Sequence, residues 1–359
     1  MTAPTVMEQS LLLELDVANL PAYLAAQGLL ADTAGVRARV LTGGVSNQAF
    51  WVEGPGLAAL GGACVVKQAR ARLAVQMEWR ADVNRIVREA EALEWLHARI
   101  GPPRIPRLLH LDRSAKVLVM EAIRPPAENY KTLLLRGEVH PALAAQFGAL
   151  LAEIHNATAD AATRERFADA TFFDQLRLSP YYGTVAERHP GLAPRLAELR
   201  AECLHARFCL VHGDYSPKNV LIRGRGGAAG DEPGLVLLDY EVAHWGNPSF
   251  DLGFALTHYC AKALHLPRHG AAFLAAARGF WAAYQAAVRL PAASRAHAGH
   301  HLAAILLARM DGKSPLEYFT EEAQRDRVRR LTRAALQAHG TTLDAVIAAV
   351  EAELRSLPT

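Results

Sequence analysis

The stretch His212-Gly213-Asp214-Tyr215-Ser216-Pro217-Lys218-Asn219 places an aspartate five residues before an asparagine. Apolar, strand-like runs flank it on both sides, and a second apolar run, residues 235–238, ends in Asp239. A hydroxyl group that accepts phosphate from Mg·ATP needs a carboxylate to orient it and oxygen ligands to hold the metal on the phosphates. An Asp-x4-Asn loop followed by an aspartate at a strand end supplies both. The pattern therefore predicts a phosphotransferase.

Length and composition limit the classes of protein to which the chain can belong. Its 359 residues suffice for two lobes, each with its own core. Hydrophobic residues make up 51% and charged residues 21%, which is an ordinary globular composition. The net charge is only +3, and the sequence has no dense lysine and arginine tract. We therefore expect no nucleic-acid partner.

The N-terminal residues and the cysteines bear on the cellular compartment. The run Leu11-Leu12-Leu13 is followed at once by Glu14, which is unlike a signal peptide, and the apolar segment 271–288 carries Arg278 and Gln285. The four cysteines have no Cys-x-x-Cys spacing, which predicts buried free thiols in a reducing compartment. We expect a cytoplasmic protein with no membrane partner.

The N-terminal part of the chain mixes strands and helices. Apolar periodicity and glycine punctuation predict helices over 8–32 and 82–99 and strands over 37–41, 48–52, 63–67 and 116–123. We assign residues 1–120 to a small lobe with an antiparallel sheet, which would cover a nucleotide. Residues 121–127 are assigned to a hinge.

Beyond residue 127 the sequence is rich in alanine and leucine and predicts a larger, mostly helical lobe, 128–359. The expected helices cover 141–157, 191–206, 270–290, 295–310 and 320–357. Strands in this lobe are expected only around 208–239, with a glycine-rich hairpin tip at 223–230 that lacks the context of a phosphate loop. The predicted fold class is α+β.

A lysine at a strand end and a glutamate on the next helix form a second candidate site. Lys67 follows the strand-like run Ala63-Cys64-Val65-Val66, and Glu89 and Glu91 both lie on the predicted helix. The two glutamates point about 200° apart, so only one of them can face Lys67. A strand lysine held by a helix glutamate positions an ammonium group on the α- and β-phosphates of ATP. A solvated surface pair is the alternative, which the downstream motif disfavours.

Two backbone segments are further candidates for contact with the nucleotide. Gly43, Gly44 and Ser46 lie between predicted strands and would offer N–H groups and a hydroxyl to the phosphates. Two glycines between strands are, however, usually just a turn. The strand that ends at Glu121 and Ile123 would offer backbone groups to the adenine edge.

The central stretch admits structural as well as chemical roles. Asp214 is the candidate catalytic base, and Asn219 and Asp239 are candidate oxygen ligands for Mg²⁺. Aspartate and asparagine also stabilise turns, but their joint occurrence with His212 favours the chemical role. We expect His212 to hold the loop through hydrogen bonds. Lys218 would either contact the γ-phosphate or be solvated.

Together these motifs resemble the aminoglycoside phosphotransferase and choline kinase-like family, which shares the bilobal protein-kinase fold. The resemblance runs from about residue 40 to about residue 260 and rests on Lys67, Arg88-Glu89-Ala90-Glu91-Ala92-Leu93, the loop from His212 to Asn219, Asp239 and Phe250-Asp251-Leu252-Gly253. It implies that Asp214 is the catalytic base and that Asn219 and Asp239 bind Mg²⁺. It also implies that Lys67 and Glu89 position ATP, and that Asp251 braces the catalytic loop from behind.

The chain departs from protein kinases after Asp239. Tyr240-Glu241 stands where protein kinases have Phe-Gly, and only 11 residues separate Asp239 from Asp251. No activation loop fits into that span, so we expect a small-molecule acceptor rather than a protein. A weaker resemblance to methylthioribose kinases lies in residues 41–47 and 65–69 and in Pro180-Tyr181-Tyr182, whereas residues 216–219 and 239–241 differ from those enzymes.

The family resemblance places the acceptor between the catalytic loop and the C-terminal helices. The candidate acceptor residues are Glu241, His244, Tyr181, Tyr182, Arg309, Asp311 and Lys313. The polar break at 309–315 is equally typical of a helix cap and turn. Between 252 and 319 the only acidic residues are Asp311 and Glu317, so electrostatics favour a neutral or anionic, sugar-like alcohol over a polycationic one.

Two alternatives stay open. One is a phosphotransferase that modifies aminoglycoside or macrolide antibiotics. The other is an inactive, nucleotide-binding scaffold, which would have no need of the carboxylate of Asp214.

Overall fold

The computed structural model describes residues 13–41, 47–70, 82–224 and 234–356. The chain divides into two compact units, one formed by Met1–Glu94 and Pro106–Ile123 and the other by Trp95–Ile105 and Arg124–Thr359. The segment Trp95–Ile105, which the sequence assigns to the small lobe, thus belongs to the second unit.

The first unit is built around a five-stranded antiparallel sheet. Its elements are α1 (Leu20–Ala26), β1 (Arg37–Leu41), β2 (Asn47–Glu53), β3 (Ala63–Ala69), the start of α2 (Arg85–Ile100), β4 (Leu108–Asp112) and β5 (Val117–Glu121). The strand order is β1-β2-β3-β5-β4, and β3 is buried along its whole length. Successive side chains of a strand point to opposite faces. Cys64 and Val66 therefore lie in the core under α1, and Lys67 faces the other side.

The opening helix is shorter than predicted. Of the predicted 8–32 helix, the described part is helical only over Leu20–Ala26. Just before it, Asp16 accepts hydrogen bonds from the backbone N–H groups of Ala18 and Asn19, each at 2.8 Å. These side-chain contacts offer the backbone a turn in place of a helix. The strand β4 was not predicted.

The second unit is mostly helical. Its elements in chain order are β6 (Ala127–Asn129), α3 (Tyr130–Leu135), α4 (Pro141–Ala157), α5 (Ala161–Arg166), α6 (Thr171–Phe173), a π-helical segment (Asp174–Gly183), α7 (Thr184–Arg188), α8 (Ala193–His205), β7 (Cys209–Val211), β8 (Val220–Arg223), β9 (Gly234–Leu237), β10 (His244–Gly246), α9 (Pro248–His265), α10 (Gly270–Ala287), α11 (Ala298–Asp311), α12 (Glu322–Gln337) and α13 (Leu343–Arg355). Helix α9 is buried along almost its whole length and packs against α10 and α11. No helix in the described ranges is long and apolar enough to cross a membrane.

The predicted 320–357 helix is wrong, because two helices, α12 and α13, occupy that segment. Gly340 adopts a left-handed conformation with φ of 66°, and the hydroxyl of Thr342 accepts a hydrogen bond from Ala345 N at 3.1 Å to cap α13. The short strands β6 and β10 were also missed. They pair with β8 and β7, and strands of three residues carry too little alternation to be recognised. All four cysteines are free and buried, as predicted.

Helices α4 and α10 approach closely at Gly148. A Cβ atom at Gly148 would lie 2.1 Å from the carbonyl oxygen of Phe280, whereas a Cβ at Gly279, on α10 itself, meets nothing within 4 Å. We predict that Gly148→Ala lowers the free energy of unfolding by about 1–3 kcal/mol through overpacking. Gly279→Ala should raise it by about 0.5–1 kcal/mol through helix propensity. Denaturant titration of both variants checks this, and equal effects would contradict the close approach.

Candidate active site

The loop after β7 is held from behind by Asp251, in the first turn of α9. The fully buried Asp251 carboxylate accepts hydrogen bonds from His212 N at 2.7 Å and from Gly213 N at 2.8 Å. Gly213 has φ of 75°, and a Cβ there would also lie 2.8 Å from Val242 Cγ2. The turn therefore requires glycine at this position.

His212 fixes the loop through both of its ring nitrogens. Nδ1 accepts a hydrogen bond from Asp214 N at 3.1 Å, and Nε2 lies 3.0 Å from the carbonyl oxygen of Leu238. Nε2 must carry the proton, because a carbonyl oxygen can only accept. Burial lowers the pKa of His212, although Asp251 and Asp214 act in the opposite direction. A neutral imidazole with both nitrogens engaged is suited to holding the loop.

Asp214 is buried and paired with two cations. Its Oδ2 lies 2.8 Å from Arg177 Nη2 and 3.5 Å from Lys218 Nζ. Burial alone would raise the pKa of the Asp214 carboxyl, but the charges of Arg177 and Lys218 outweigh it and hold the pKa below the usual value. The carboxylate is therefore ionised and fixed in orientation.

Arg177 is a residue of this site that the sequence did not reveal. It lies on the π-helical segment Asp174–Gly183 and is only 7% exposed. Besides Asp214, its guanidinium contacts the carbonyl oxygens of Gly213 and Leu176, each at 2.8 Å. Such segments often occur at functional sites, but no pattern in the sequence links an arginine to a loop that follows it at such a distance.

Asn219 and Asp239 are brought together by the β8–β9 hairpin. Val220 pairs with Leu237, and Leu238 N donates to the carbonyl oxygen of Asn219 at 2.8 Å, so both residues lie at one end of the hairpin. The side-chain NH₂ of Asn219 donates to Asp214 O at 2.9 Å, so its amide oxygen is the atom that could coordinate a metal. Asp239 adopts φ of 73°, which is uncommon for a residue other than glycine and typical of functional positions.

The chemistry of these donors fits a hard divalent cation. An amide oxygen and a carboxylate are ligands that Mg²⁺ accepts, and Mg²⁺ commonly takes its remaining ligands from water and phosphate. No group of three His, Cys, Asp or Glu side chains within the described ranges could hold a metal without such help. Asn219 and Asp239 therefore suit a metal that arrives with a phosphate ligand.

In the first unit, Lys67 pairs with Glu89. Lys67 Nζ lies 2.5 Å from Glu89 Oε1, and Glu89 is fully buried. Glu91, the other candidate, instead lies 3.4 Å from Arg113 at the surface. The sequence left this choice open, and the structure decides it in favour of Glu89.

The other predicted nucleotide contacts lie in two segments, residues 43–46 and the end of β5. Gly43, Gly44 and Ser46 lie outside the described residues. Glu121 ends β5, and its backbone N–H already donates to the carbonyl oxygen of Arg107 at 2.9 Å. Ile123 is the last residue of the first unit. The adenine contact proposed for this segment stays a prediction.

The aromatic and acidic acceptor candidates are buried. Tyr181 and Tyr182 are 3% and 1% exposed, and Glu241 and His244 are 2% and 1% exposed. The hydroxyl of Tyr182 lies 2.6 Å from His301 Nδ1, which ties the π-helical segment to α11.

The remaining acceptor candidates fall into separate groups. Arg309 Nη1 donates to the hydroxyl of Tyr181 at 3.1 Å, and Lys313 N donates to the carbonyl oxygen of Pro180 at 3.1 Å. Asp311, in contrast, pairs with His189 and Arg329, each at 2.7 Å. The structure thus brings Arg309 to Tyr181 and engages Asp311 with other elements. Contact of these residues with an acceptor stays a prediction.

We predict that Arg177→Met lowers the free energy of unfolding by about 3–5 kcal/mol, because it leaves the buried carboxylate of Asp214 without its main partner. Arg200→Met is the matched control. It breaks a half-exposed pair with Asp174, at 2.8 Å, and should cost about 1 kcal/mol or less. Chemical denaturation measures both.

A double-mutant cycle sharpens this test. Adding Asp214→Asn to Arg177→Met removes the stranded charge, so the double variant should be more stable than Arg177→Met alone. Additive effects of the two substitutions would contradict the pairing.

The sequence matches a known protein family over more than half of its length. The model of the phosphotransferase enzyme family matches residues 37–287. Methylthioribose kinase 2 of Oryza sativa subsp. japonica is 24% identical over 273 residues, which cover 67% of this chain and 61% of that protein. The chain thus spans about three fifths of the length of this curated relative. The match to a methylthioribose kinase agrees with the weaker resemblance to those enzymes in the sequence.

Two solved structures share the fold. A choline/ethanolamine kinase family protein from Mesorhizobium loti has a TM-score of 0.50 at 18% identity, over 93% of this chain and 99% of that one. Amicoumacin kinase hAmiN, solved with AMP-PNP, Ca²⁺ and Ami, has a TM-score of 0.54 at 13% identity, over 88% and 92%. The predicted α+β, protein-kinase-like fold is confirmed. Because the family model matches more than half of the sequence, the chain belongs to the phosphotransferase enzyme family.

Proposed function

We propose that this protein is a kinase that transfers the γ-phosphate of ATP to a hydroxyl group of a small molecule. The observation that carries the proposal is the joint placement of Asp214, Asn219 and Asp239 on one braced loop and the adjoining hairpin end. A carboxylate next to two oxygen ligands is the arrangement that phosphoryl transfer to an alcohol requires.

Asp214 would orient the acceptor hydroxyl and receive its proton late in the transfer. Its depressed pKa suits that role, because a carboxylate held by Arg177 and Lys218 is a weak base but a well-fixed hydrogen-bond acceptor. Asn219 and Asp239 would hold a divalent cation, for which we propose Mg²⁺, and its charge would neutralise that of the phosphates. Lys218, whose pKa is raised by Asp214, would keep its charge beside the transferred group.

Lys67 and Glu89 would bind the phosphates of ATP. Glu89 is fully buried and holds the ammonium group at 2.5 Å, so the lysine is fixed before a nucleotide arrives. The complex of hAmiN with AMP-PNP and Ca²⁺ supports ATP and a divalent cation as the cofactors. The four buried, free thiols support a reducing, cytoplasmic location.

For the acceptor we propose a sugar-like or other neutral or anionic alcohol. The scarcity of carboxylates between 252 and 319 disfavours a polycation, and the likeness to a methylthioribose kinase supports a sugar. Modification of an aminoglycoside or macrolide is the second candidate. An inactive scaffold is disfavoured because Asp214 and its partners are all present.

We predict that Asp214→Asn lowers kcat by about 10²–10⁴-fold, the usual contribution of a positioned acid–base group, while ATP binding persists. ATP consumption with a panel of sugars, amino alcohols and antibiotics identifies the acceptor first. Asp174→Asn, at a surface pair, is the control and should retain full turnover. Turnover that survives Asp214→Asn unchanged would sink the proposal, and unaltered antibiotic susceptibility in expressing cells would reject the antibiotic alternative.

A second test concerns the nucleotide. Glu89→Gln should weaken ATP binding by about tenfold or more, since hydrogen bonds to charged groups contribute about 1.5–3 kcal/mol. Glu91→Gln lies on the same helix but pairs only with exposed Arg113, so it should leave ATP binding unchanged. Titration with a fluorescent ATP analogue compares the two variants. Equal affinities would show that the Lys67–Glu89 pair does not serve the nucleotide.

A further inference from the structure

Four hydrogen-bond donors gather where the ends of α9 and α11 meet the segment that follows α11. This donor cluster consists of Lys262 and His265 on α9, Arg309 on α11, and Tyr318. Lys262 Nζ lies 5.6 Å from the centre of the Tyr318 ring, and the rings of His265 and Tyr318 are 4.6 Å apart. Lys262, His265 and Tyr318 thus lie together, and the backbone of Arg309 is joined to the same segment by Leu316 N, which donates to its carbonyl oxygen at 2.8 Å.

Several polar atoms of the donor cluster lack a partner among the described residues, although Arg309 Nη1 donates to the hydroxyls of Tyr181 at 3.1 Å and Ser314 at 2.8 Å. Lys262 is 0% exposed, and the hydrogen bond recorded for its Nζ is a long one, 3.5 Å, to the carbonyl oxygen of His258 one turn back. His265 Nδ1, Arg309 Nε and Tyr318 Oη are buried without a hydrogen-bond partner in the described part of the chain. Buried donors are normally paired, and an unmade bond is costly.

Carboxylates that could compensate the cluster are already engaged. Glu317 lies nearby, but Lys131 Nζ holds its carboxylate at 2.5 Å. Asp311 pairs with His189 and Arg329. Between 252 and 319 the sequence has no other acidic residue, and among the described residues neither Lys262 nor Arg309 forms an ion pair. In the described part of the chain the two cations of the cluster therefore have neutral acceptors but no carboxylate partner.

We propose that the donor cluster binds a small oxyanion: a carboxylate, a sulfate or a phosphate monoester. Several converging donors with two cations suit such a group, because it accepts many hydrogen bonds and neutralises buried charge. Burial lowers the pKa of Lys262 to about 7, with Lys131 and Arg309 acting in the same direction and Glu317 against them. A bound anion would keep the ammonium group charged.

Arg309 links the cluster to the π-helical segment that carries Arg177, because its Nη1 donates to the hydroxyl of Tyr181 at 3.1 Å. Burial lowers the pKa of His258 well below its usual value, and Lys262, Arg309 and Lys218 all act in the same direction. Lys218 adjoins Asp214, whose hydroxyl-orienting role belongs to the proposed function. If that function holds, the oxyanion is a substituent of the acceptor, which would then be a hydroxy acid or a phosphorylated or sulfated alcohol.

Calorimetric titration of phosphate, sulfate and acetate into the nucleotide-free protein tests the site without any turnover. Saturable binding is expected, with Kd at least tenfold higher in Lys262→Met and moderately higher in Tyr318→Phe. Arg268→Met, an exposed cation just after α9, is the control and should bind like the wild type. Without anion, Lys262→Met should melt at the same temperature or higher, because a buried cation has been removed.

Three outcomes would overturn the proposal: no saturable binding by the wild type, unchanged binding by Lys262→Met, or binding lost in Lys67→Met instead, which would place the anion at the nucleotide site. A hydroxy acid and its amide, tested as matched acceptors, show whether the bound oxyanion is part of the acceptor or a separate ligand. A lower KM for the acid that disappears in Lys262→Met assigns the anion to the acceptor. Binding of the free anion that does not compete with the acid assigns it to a separate ligand. Anion binding without ATP turnover would leave the site intact and refute only the proposed function.

Discussion

The two hydrogen bonds from the backbone of the catalytic loop to the carboxylate of Asp251 are the constraint on which the site depends. Asp251 lies in the first turn of α9, where the helix dipole favours a negative charge. Because α9 is buried against α10 and α11, the carboxylate cannot move without disturbing the core. The helical core therefore positions the loop. His212 in turn connects the loop to Asp214 N and to the carbonyl oxygen of Leu238, next to Asp239, through hydrogen bonds of its two ring nitrogens.

Within that frame, the pair of Arg177 and Asp214 sets the chemical character of the site. Burial alone would favour the neutral carboxylic acid, so an unpaired Asp214 would lose its charge. The guanidinium at 2.8 Å reverses the balance and fixes one carboxylate oxygen. The result is a fixed, weakly basic carboxylate, which under the proposed function would orient a hydroxyl more than remove its proton, as the loose transition state of phosphoryl transfer requires. A π-helical segment delivers the arginine, so the precision of the loop depends on an element outside the motif.

The sequence predicted the parts of the fold and site that are local in the chain. The Asp-x4-Asn loop, the strand carrying Lys67 and most helices follow from spacing and periodicity over a few residues. The features that the sequence did not predict depend on contacts between residues far apart in the chain. Nothing near Arg177 reveals that it reaches Asp214. The break between α12 and α13 was missed because a glycine inside a helical pattern is only weakly unfavourable. In the structure, Gly299 of α11 packs closely against the backbone of residues 341–342 and so depends on the break there.

Buried charged side chains in this chain differ in how closely a protein partner approaches them, and this difference is relevant to the proposed ligand. Asp214, Asp251 and Glu89 each find a donor within the protein at 2.5–2.8 Å. Lys262 is equally buried, yet its hydrogen bond to its own helix, at 3.5 Å, is long. Folding alone gives no reason to retain a lysine there, since an apolar side chain would fill the same space without the desolvation cost. A group with an acceptor-rich, negatively charged surface would supply that reason, and this contrast is the basis of the proposed oxyanion site.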